Sequence, residues 1–421
     1  MRLARITTAV VEANYDWTIV CAESEDGIRG FGEAFCAPGL TETIRELAEL
    51  IEGRDARHVE PLVHRLHLAT AHVSRGGTIY HAISGIEAAL WDLLARSLDV
   101  PLWQLFGGCF RDRVRIYADC HAGEALTSYG ATLVSRHLPW MGEPPAAAGD
   151  GEAEVHWAPA EEEGVYTPEA YAARAQAMAE RGFTALKFDL DLPLLPGEDL
   201  YARTISAAQL ERQVAIAEAT VEAVAGRADV AFDLHWRYAP ADALRLARAL
   251  EHLPLLWLED PTPPHDLESV SRLAERTTTP ICTGENLYGP AGFAALLRHG
   301  GVAVLAPDVQ KVGGLADTRR IAALADVHSR PVAPHNIAGP IGTLASVHLC
   351  ASIPNFLALE WHAASVPFFD SLLTTGRPLI EDGHVAVPEG AGLGADLELE
   401  VARAYACPGE PFFGEAAVTE P

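Results

Sequence analysis

The fold of this chain is decided by three segments, VAFDLHWR (230–237), LLWLEDP (255–261) and PICTGEN (280–286). Each is an apolar run that ends in a carboxylate, and the carboxylates Asp233, Glu259 and Glu285 stand 26 positions apart. That interval matches one strand, loop, helix and loop of a parallel α/β barrel, whose strands all end on the same face. We therefore expect the three side chains to meet on that face.

Together, the three carboxylates predict a metal site. Packed at one point without a cation, they would repel one another and lose their hydration at a high cost in free energy. A hard divalent cation with oxygen ligands removes that cost, and Mg²⁺ is the first candidate. Any one of them alone is more typical of a helix N-cap or a solvated loop. The hypothesis therefore depends on their common spacing.

The rest of the chain from residue 113 extends the same pattern. Apolar runs alternate with helical stretches such as PADALRLARALEHL (240–253). The eight candidate strands are VRIYADC (114–120), ALKFDL (185–190), VAFDLH (230–235), LLWLEDP (255–261), PICTGE (280–285), VAVLAPDV (302–309), PVAPHN (331–336) and FLALEWH (356–362). Eight strands with intervening helices indicate a closed parallel barrel rather than an open sheet.

The first hundred residues read as an α+β unit. Residues 2–35 alternate like antiparallel strands around the Asp-Gly turn signal of EDGIRGFGEA (25–34). Helical periodicity follows near residues 41–52, 58–70 and 80–97.

The domain organisation follows from these patterns. We predict a capping domain at 1–112, completed by the Pro- and Gly-rich tail 363–421, and a barrel at 113–362. Residues 139–167 interrupt the barrel after its first strand, and so long a connection is usually functional or disordered. A lid or an intersubunit arm is the expectation there. The acidic run Glu161–Glu163 is more typical of a solvated surface than of a second metal site.

Composition limits the function classes. With 421 residues, 49% of them hydrophobic, the chain can bury a large core, and its net charge of −27 disfavours binding to nucleic acid or anionic lipid. An anionic substrate is still allowed, because a bound cation dominates the field inside a site. The seven cysteines are scattered without a C-x-x-C pair, and no apolar run approaches about 18 residues. We expect a soluble cytoplasmic protein.

Histidines also stand at strand ends. His235 follows Asp233 by two residues, so strand alternation would point both side chains to one side. His335 and Asp308 end adjacent predicted strands, where Asp308 could accept a hydrogen bond that fixes the tautomer of His335. A lone histidine at a strand end is more often structural. A His and Asp pair that faces three carboxylates favours catalysis.

These motifs resemble the enolase superfamily, in its mandelate racemase subgroup, and more closely its acid-sugar dehydratases of the galactonate and gluconate type. The resemblance covers the chain outside 139–167. Besides the three spaced carboxylates, it rests on EDGIRGFGEA (25–34), ISGIEAALWDLL (83–94), Asp308 with VGG (312–314), PHNIAGPIG (334–342), LALEWH (357–362) and DGHVAVPEGAGLG (382–394).

Roles for individual residues are implied by this resemblance. The three spaced carboxylates would bind one Mg²⁺ per subunit, and His335 paired with Asp308 would be the general base. His235 resembles the general acid of the dehydratases, and Glu360 would help to hold the enediolate oxygen. The implied fold is a modified TIM barrel of the (β/α)7β type, capped by the N- and C-terminal segments, and the implied assembly is a homo-oligomer.

Substrate contacts are less sharply indicated. The resemblance places loops near Trp17 and Cys36 over the substrate, although a tryptophan is more often part of a core. Lys187 could contact the substrate carboxylate or form a structural ion pair, and Arg237 could bind substrate oxygens or neutralise the acidic site. Lys311 lies one residue out of the alternation that would carry Asp308 and Gln310 to one side of their strand, so packing or a surface ion pair is favoured for it.

One departure from the family pattern bears on the reaction. Racemases of the subgroup carry a Lys-x-Lys pair on the second barrel strand, whereas Asp189 stands here two residues after Lys187. Racemisation needs a proton donor and acceptor on both faces of the α-carbon, but elimination needs one base and one acid. His335 and His235 supply those two roles.

The resulting expectation is a hydro-lyase that removes the C2 proton and the C3 hydroxyl of a sugar acid to give a 2-keto-3-deoxy acid. Gluconate, galactonate, xylonate and related acids stay open as substrates. A racemase, epimerase or cycloisomerase with the same enediolate chemistry is one alternative. A non-catalytic binding or regulatory barrel is another.

Overall fold

The antiparallel sheet predicted near the N-terminus is present. A computed structural model describes residues 1–120, 128–130, 135–141, 165–195, 198–199 and 201–415. Within it, strands β1 (Leu3–Glu12), β2 (Asp16–Ser24) and β3 (Arg29–Ala34) pair in that order. Gly27 makes the predicted turn with a φ of 81°, a conformation that glycine adopts without strain.

Four helices complete this part of the chain: α1 (Leu40–Ala48), α2 (Val59–Thr70), α3 (Thr78–Ser97) and α4 (Leu102–Leu105). Helix α1 ends before the predicted residue 52 because the chain turns there, and the Gly53 amide donates to the Leu3 carbonyl at 2.8 Å. Strand β3 lies directly on α3. A Cβ atom on Gly30 would stand 2.2 Å from the backbone nitrogen of Leu93, so this contact requires a glycine.

The barrel begins with β4 (Arg113–Cys120), after which β5 (Ser128–Tyr129) and β6 (Ser135–Arg136) form a small hairpin. The later strands are β7 (Ala185–Asp189), β8 (Asp229–Asp233), β9 (Leu255–Glu259), β10 (Ile281–Thr283), β11 (Val304–Leu305) and β12 (Leu359–His362). They pair in parallel in the order β11, β10, β9, β8, β7, β4, β12. The barrel helices are α5 (Pro168–Glu180), α6 (Ala207–Ala223), α7 (Pro240–Ala249), α8 (Leu267–Ala274), α9 (Gly289–His299), α10 (Leu315–Val327) and α11 (Pro340–Ser352).

The predicted seventh strand is reduced to a bridge that closes the barrel. Val332 forms parallel bridges with Leu305 on one side and Phe356 on the other. Pro331 and Pro334 flank it, and a proline has no N–H to donate to a neighbouring strand. The fold is thus the expected modified TIM barrel with an α+β capping domain.

The C-terminal tail contacts both parts of the molecule. Strand β13 (His384–Ala386) pairs antiparallel with β4, and α12 (Leu399–Ala404) follows. Beyond it, Ala406 and Phe412 form antiparallel bridges to β1. Within the described ranges no helix is long and apolar enough to cross a lipid bilayer.

The insertion predicted at 139–167 lies mostly outside the described residues, and so does the acidic run 161–163, so the lid or arm expected there stays a prediction. Where the description resumes, the Thr167 hydroxyl accepts the Ala170 amide at 3.2 Å and caps α5. Such a cap satisfies one of the free amides at a helix start.

Candidate active site

A layer of apolar side chains fills the barrel below the site. One residue from each strand position contributes to it: Tyr117, Ala185, Ala231, Trp257, Cys282, Ala306, Ala333 and Ala358. The rings of Tyr117 and Trp257 meet edge to face at 5.2 Å, and small residues leave room for them. Because side chains alternate along a strand, the next inward position lies two residues later. Those positions hold most of the site.

Polar residues occupy that next layer at seven of the eight strands: Asp119, Lys187, Asp233, Glu259, Asp308, His335 and Glu360. All are buried. The eighth, β10, has Gly284 at the expected position and presents Glu285 one residue later. Gly284 has a φ of 145°, and a Cβ atom there would stand 2.8 Å from the Phe293 ring. This glycine conformation turns the chain so that the Glu285 side chain points inward.

The structure brings the three spaced carboxylates together. One oxygen from each of Asp233, Glu259 and Glu285 lies within 4.8 Å of the others. Burial raises the pKa of Glu259 well above its usual value, while the nearby Lys187 opposes the shift. Among the described residues, Glu259 Oε1 has no hydrogen-bond partner. A buried oxygen without a donor, in an all-carboxylate set, fits a bound metal ion.

Lys187 lies among the carboxylates. Its Nζ stands 2.6 Å from Glu360 Oε1, 3.1 Å from Asp233 Oδ2 and 3.5 Å from Glu259 Oε2. Burial lowers the pKa of Lys187, but Glu259 and Glu360 outweigh that effect and hold it well above its usual value. The geometry shows the ion pair that was one of its two expected uses, and substrate contact stays a prediction.

His335 and Asp308 form a close pair. His335 Nδ1 lies 2.6 Å from Asp308 Oδ2, and its Nε2 lies 3.1 Å from Glu285 Oε2 and 3.8 Å from Glu360 Oε2. Burial lowers the pKa of His335, but Glu285, Glu360 and the bond to Asp308 outweigh it and raise the pKa to about 9. The distances show that His335 Nε2 faces the carboxylates of Glu285 and Glu360.

Glu360 joins these parts. Its Oε1 contacts Lys187, and its Oε2 accepts the Asn336 amide at 2.9 Å. The carboxylate is fully buried, so these contacts replace the hydration that it has lost.

His235 reaches the site by a route that the alternation argument did not foresee. Strand β8 ends at Asp233, and His235 has a left-handed φ of 41° in the following loop. Its Nδ1 lies 3.2 Å from Asp191 Oδ1, and its Nε2 lies 3.8 Å from Asp233 Oδ2 and 4.0 Å from Asp189 Oδ1. Burial opposes the charge, but Asp233, Asp191 and Asp189 raise the pKa of His235 well above its usual value.

Arg237 and Trp17 support loops around the site. Arg237 Nη1 donates to the Asp191 carbonyl at 2.7 Å and to the Leu192 carbonyl, so the arginine holds the loop that carries Asp191. Trp17 is 2% exposed and packs against Gly339, where a Cβ atom would stand 2.6 Å from its ring. Their predicted contacts with substrate stay predictions.

The sequence patterns missed residues on loops. Lys311 is 4% exposed, which agrees with packing rather than with a surface pair; its Nζ lies 2.9 Å from Asn286 Oδ1, 4.0 Å from Glu285 Oε1 and 4.6 Å from the Phe35 ring centre. Lys311 follows β11, which ends at Leu305, so its side-chain direction is not set by strand alternation. Asp191 also follows its strand. Its only signal was the repeated acid of LKFDLD (186–191).

Two family models match the chain. One, described as enolase C-terminal domain-like, covers residues 170–401. The other, the mandelate racemase/muconate lactonizing enzyme N-terminal domain, covers residues 4–107.

Curated and solved relatives match over nearly the full length. A D-xylonate dehydratase of Haloferax volcanii is 38% identical over 97% of this chain and 90% of its own length. A D-galactonate dehydratase of Ralstonia nicotianae is 28% identical over 97% of this chain and 96% of its own. The crystal structure of a mandelate racemase/muconate lactonizing enzyme-like protein from Rubrobacter xylanophilus matches with a TM-score of 0.87 at 38% identity, over 98% of this chain and 99% of that one.

Proposed function

The chain belongs to the mandelate racemase/muconate lactonizing enzyme family of the enolase superfamily, and from this premise we propose that it is a sugar-acid dehydratase. It removes the C2 proton and the C3 hydroxyl of an aldonate such as xylonate, gluconate or galactonate and yields a 2-keto-3-deoxy acid. The names of the relatives support this reaction class, since those described above act on D-xylonate and D-galactonate.

One observation carries the proposal: two histidines, each held by an aspartate, flank the three carboxylates. His335 Nε2 lies 3.1 Å from Glu285, and His235 Nε2 lies 3.8 Å from Asp233. Elimination needs one base and one acid on the substrate, and the two imidazoles supply them.

We propose that Asp233, Glu259 and Glu285 hold one Mg²⁺ per subunit. When bound, it would stabilise the negative charge that develops on the substrate carboxylate, a contribution of several kcal/mol, and would offset the carboxylates that raise the pKa of His335. This ion matters because a positioned histidine alone contributes only about 10² to 10⁴ in rate.

The chain's own residues then perform the proton transfers. His335 Nε2 takes the C2 proton, and Asp308 holds the Nδ1–H so that Nε2 is the basic atom. Lys187 and Glu360, whose side chains meet at 2.6 Å beside the three carboxylates, would contact the enediolate oxygens as they form. Protonated His235 donates to the C3 hydroxyl as the C3–O bond breaks and water leaves. The enol product then takes a solvent proton at C3 to become the 2-keto acid.

A racemase or epimerase is the main rival, and the second barrel strand disfavours it. Asp189 occupies the place of a second lysine, and Lys187 is held by carboxylates. Racemisation would need a second proton-transfer group on the face of C2 opposite His335, and the lysine that would serve there is absent at position 189.

A substrate screen tests the proposal. Aldonates and aldarates of five and six carbons are incubated with Mg²⁺, and 2-keto-3-deoxy acids are detected after derivatisation with semicarbazide. We expect product from at least one acid, no product with excess EDTA, and recovery on adding Mg²⁺. Exchange of the C2 proton without keto product would indicate an epimerase, and absence of both across the panel would indicate a non-catalytic barrel.

We also propose a cytoplasmic homo-oligomer. All seven cysteines are free thiols, which suits a reducing compartment, and the family resemblance supports the assembly. Light scattering after size exclusion would measure its order.

A further inference from the structure

The capping domain reaches into the loop that carries the proposed base. Glu33, near the end of β3, is 4% exposed, and its carboxylate accepts the amides of Gly339 at 2.7 Å and Gly342 at 2.9 Å. These amides belong to the start of α11, whose N-cap Gly339 has no side chain to offer. Free amides and the helix dipole both favour a carboxylate at that point.

The same loop leads back to His335 within four residues. Gln310 ties it to the partner of the base: its backbone amide donates to Asp308 Oδ1 at 2.6 Å, and its side-chain Nε2 donates to the Gly342 carbonyl at 3.2 Å. Gly342 is therefore held from both sides. A Cβ atom there would stand 3.1 Å from Glu33 Oε2 and 3.0 Å from Gln310 Nε2, so the fit is close.

We propose that Glu33 is a positioning residue for the reaction. By holding the amides of Gly339 and Gly342 as a clamp, its carboxylate fixes the position of His335 relative to the three spaced carboxylates. Glu33 does not touch the reacting atoms. The inference rests on the proposed function only for its kinetic readout. Its physical reason is that displacing a catalytic group by about 1 Å can cost about 10²-fold in rate.

The chain offers a matched control. Glu87 on α3 is also buried, and it accepts the amides of Leu315 at 2.8 Å and Ala316 at 2.9 Å at the start of α10. It therefore caps a barrel helix in the same way as Glu33. Neither amide belongs to the loop of His335.

The experiment compares Glu33→Gln with Glu87→Gln in the full-length protein with Mg²⁺. The glutamine side chain has one accepting oxygen where the glutamate has two. Each variant therefore weakens the two hydrogen bonds that hold the start of its helix, α11 for Glu33→Gln and α10 for Glu87→Gln. We expect Glu33→Gln to lower kcat by about 10- to 100-fold with KM changed less than about threefold. Glu87→Gln should keep kcat within about threefold, because neither of its amide partners belongs to the loop of His335.

A second readout does not depend on turnover. Hydrogen exchange, followed by mass spectrometry, should accelerate in the peptide spanning 336–342 for Glu33→Gln and in that spanning 313–318 for Glu87→Gln. Unchanged exchange at 336–342, or faster exchange with unchanged kcat, would overturn the clamp. If Glu33→Gln does not fold, Glu33→Asp, which keeps the charge but is one methylene shorter, must show the same loss of kcat. Wild-type protein without any turnover would refute the proposed function and not the clamp.

Discussion

Both lysines of the chain lie at the candidate active site, where they balance buried carboxylates. Lys187 contacts Glu360, Asp233 and Glu259, and Lys311 lies 4.0 Å from Glu285. Buried charges are tolerated only when they are paired. Arginine carries the side-chain positive charge elsewhere in the chain, and both lysine ammonium groups lie beside these buried carboxylates.

The two histidines should be separable by isotope exchange. We predict that His235→Asn dehydrates its substrate about 10²- to 10⁴-fold more slowly than wild type in D₂O. It should still exchange the C2 proton, because the proposed base is intact. Nuclear magnetic resonance of the substrate C2 position measures exchange, and the keto product measures dehydration.

His335→Asn is the matched comparison, and it should lose both reactions. Circular dichroism would verify that each variant is folded. Full dehydration by His335→Asn would show that the base is another group, and loss of C2 exchange in His235→Asn would remove the division of roles.

At the scale of elements, the capping domain supplies carboxylates to barrel helices. Glu87 caps α10 and Glu33 caps α11, and in both cases no side chain of the helix's own N-cap does so. Burial raises the pKa of Glu33 to about 7 and that of Glu87 to about 8, although the helix amides oppose the shift. Burying these carboxylates in their ionised form therefore offsets part of the stability that their hydrogen bonds contribute.

This shift predicts a pH dependence of stability. Because the folded pKa of Glu87, about 8, lies above the ordinary 4.5, the folded state binds the proton more tightly. The resulting stabilisation is present below pH 4.5 and is lost as the pH rises to about 8. We predict that the Tm of wild type falls more between pH 5 and 8 than that of Glu87→Gln, measured by calorimetry.

Glu60→Gln is the control for this slope. Glu60 is exposed on α2 and pairs with Arg320, so its removal should leave the wild-type slope in place. Equal slopes in wild type and Glu87→Gln would contradict a titrating cap.

At the scale of the whole molecule, the net charge of −27 is the dominant feature. Self-repulsion of like charges destabilises a compact state, and salt screens it over about 10 Å at 0.1 M. We predict that the Tm at pH 7 rises between about 0.01 and 0.5 M NaCl, as followed by scanning fluorimetry. Near the isoelectric point of about 4.9 the rise should be much smaller. A fall in Tm with salt at pH 7 would contradict this account.

The sequence alone was enough to predict the barrel, the capping domain and the meeting of the three carboxylates. Regular strands and helices have fixed periods, so a spacing of 26 residues reports on barrel units, and the ends of parallel strands converge on one face of the barrel. The position of His335 beside Asp308 follows from the same rule, since both belong to the inward layer of adjacent strands.

Only the tertiary structure decided what irregular backbone and distant contacts contribute. Glu285 points inward because Gly284, with a φ of 145°, turns the chain just after β10. Lys311, Asp191 and His235 lie on loops, where no period predicts the direction of a side chain. The clamp by Glu33 joins residues 306 positions apart in the chain. Such a contact depends on how two domains pack, and packing is a property of the whole folded chain rather than of any segment.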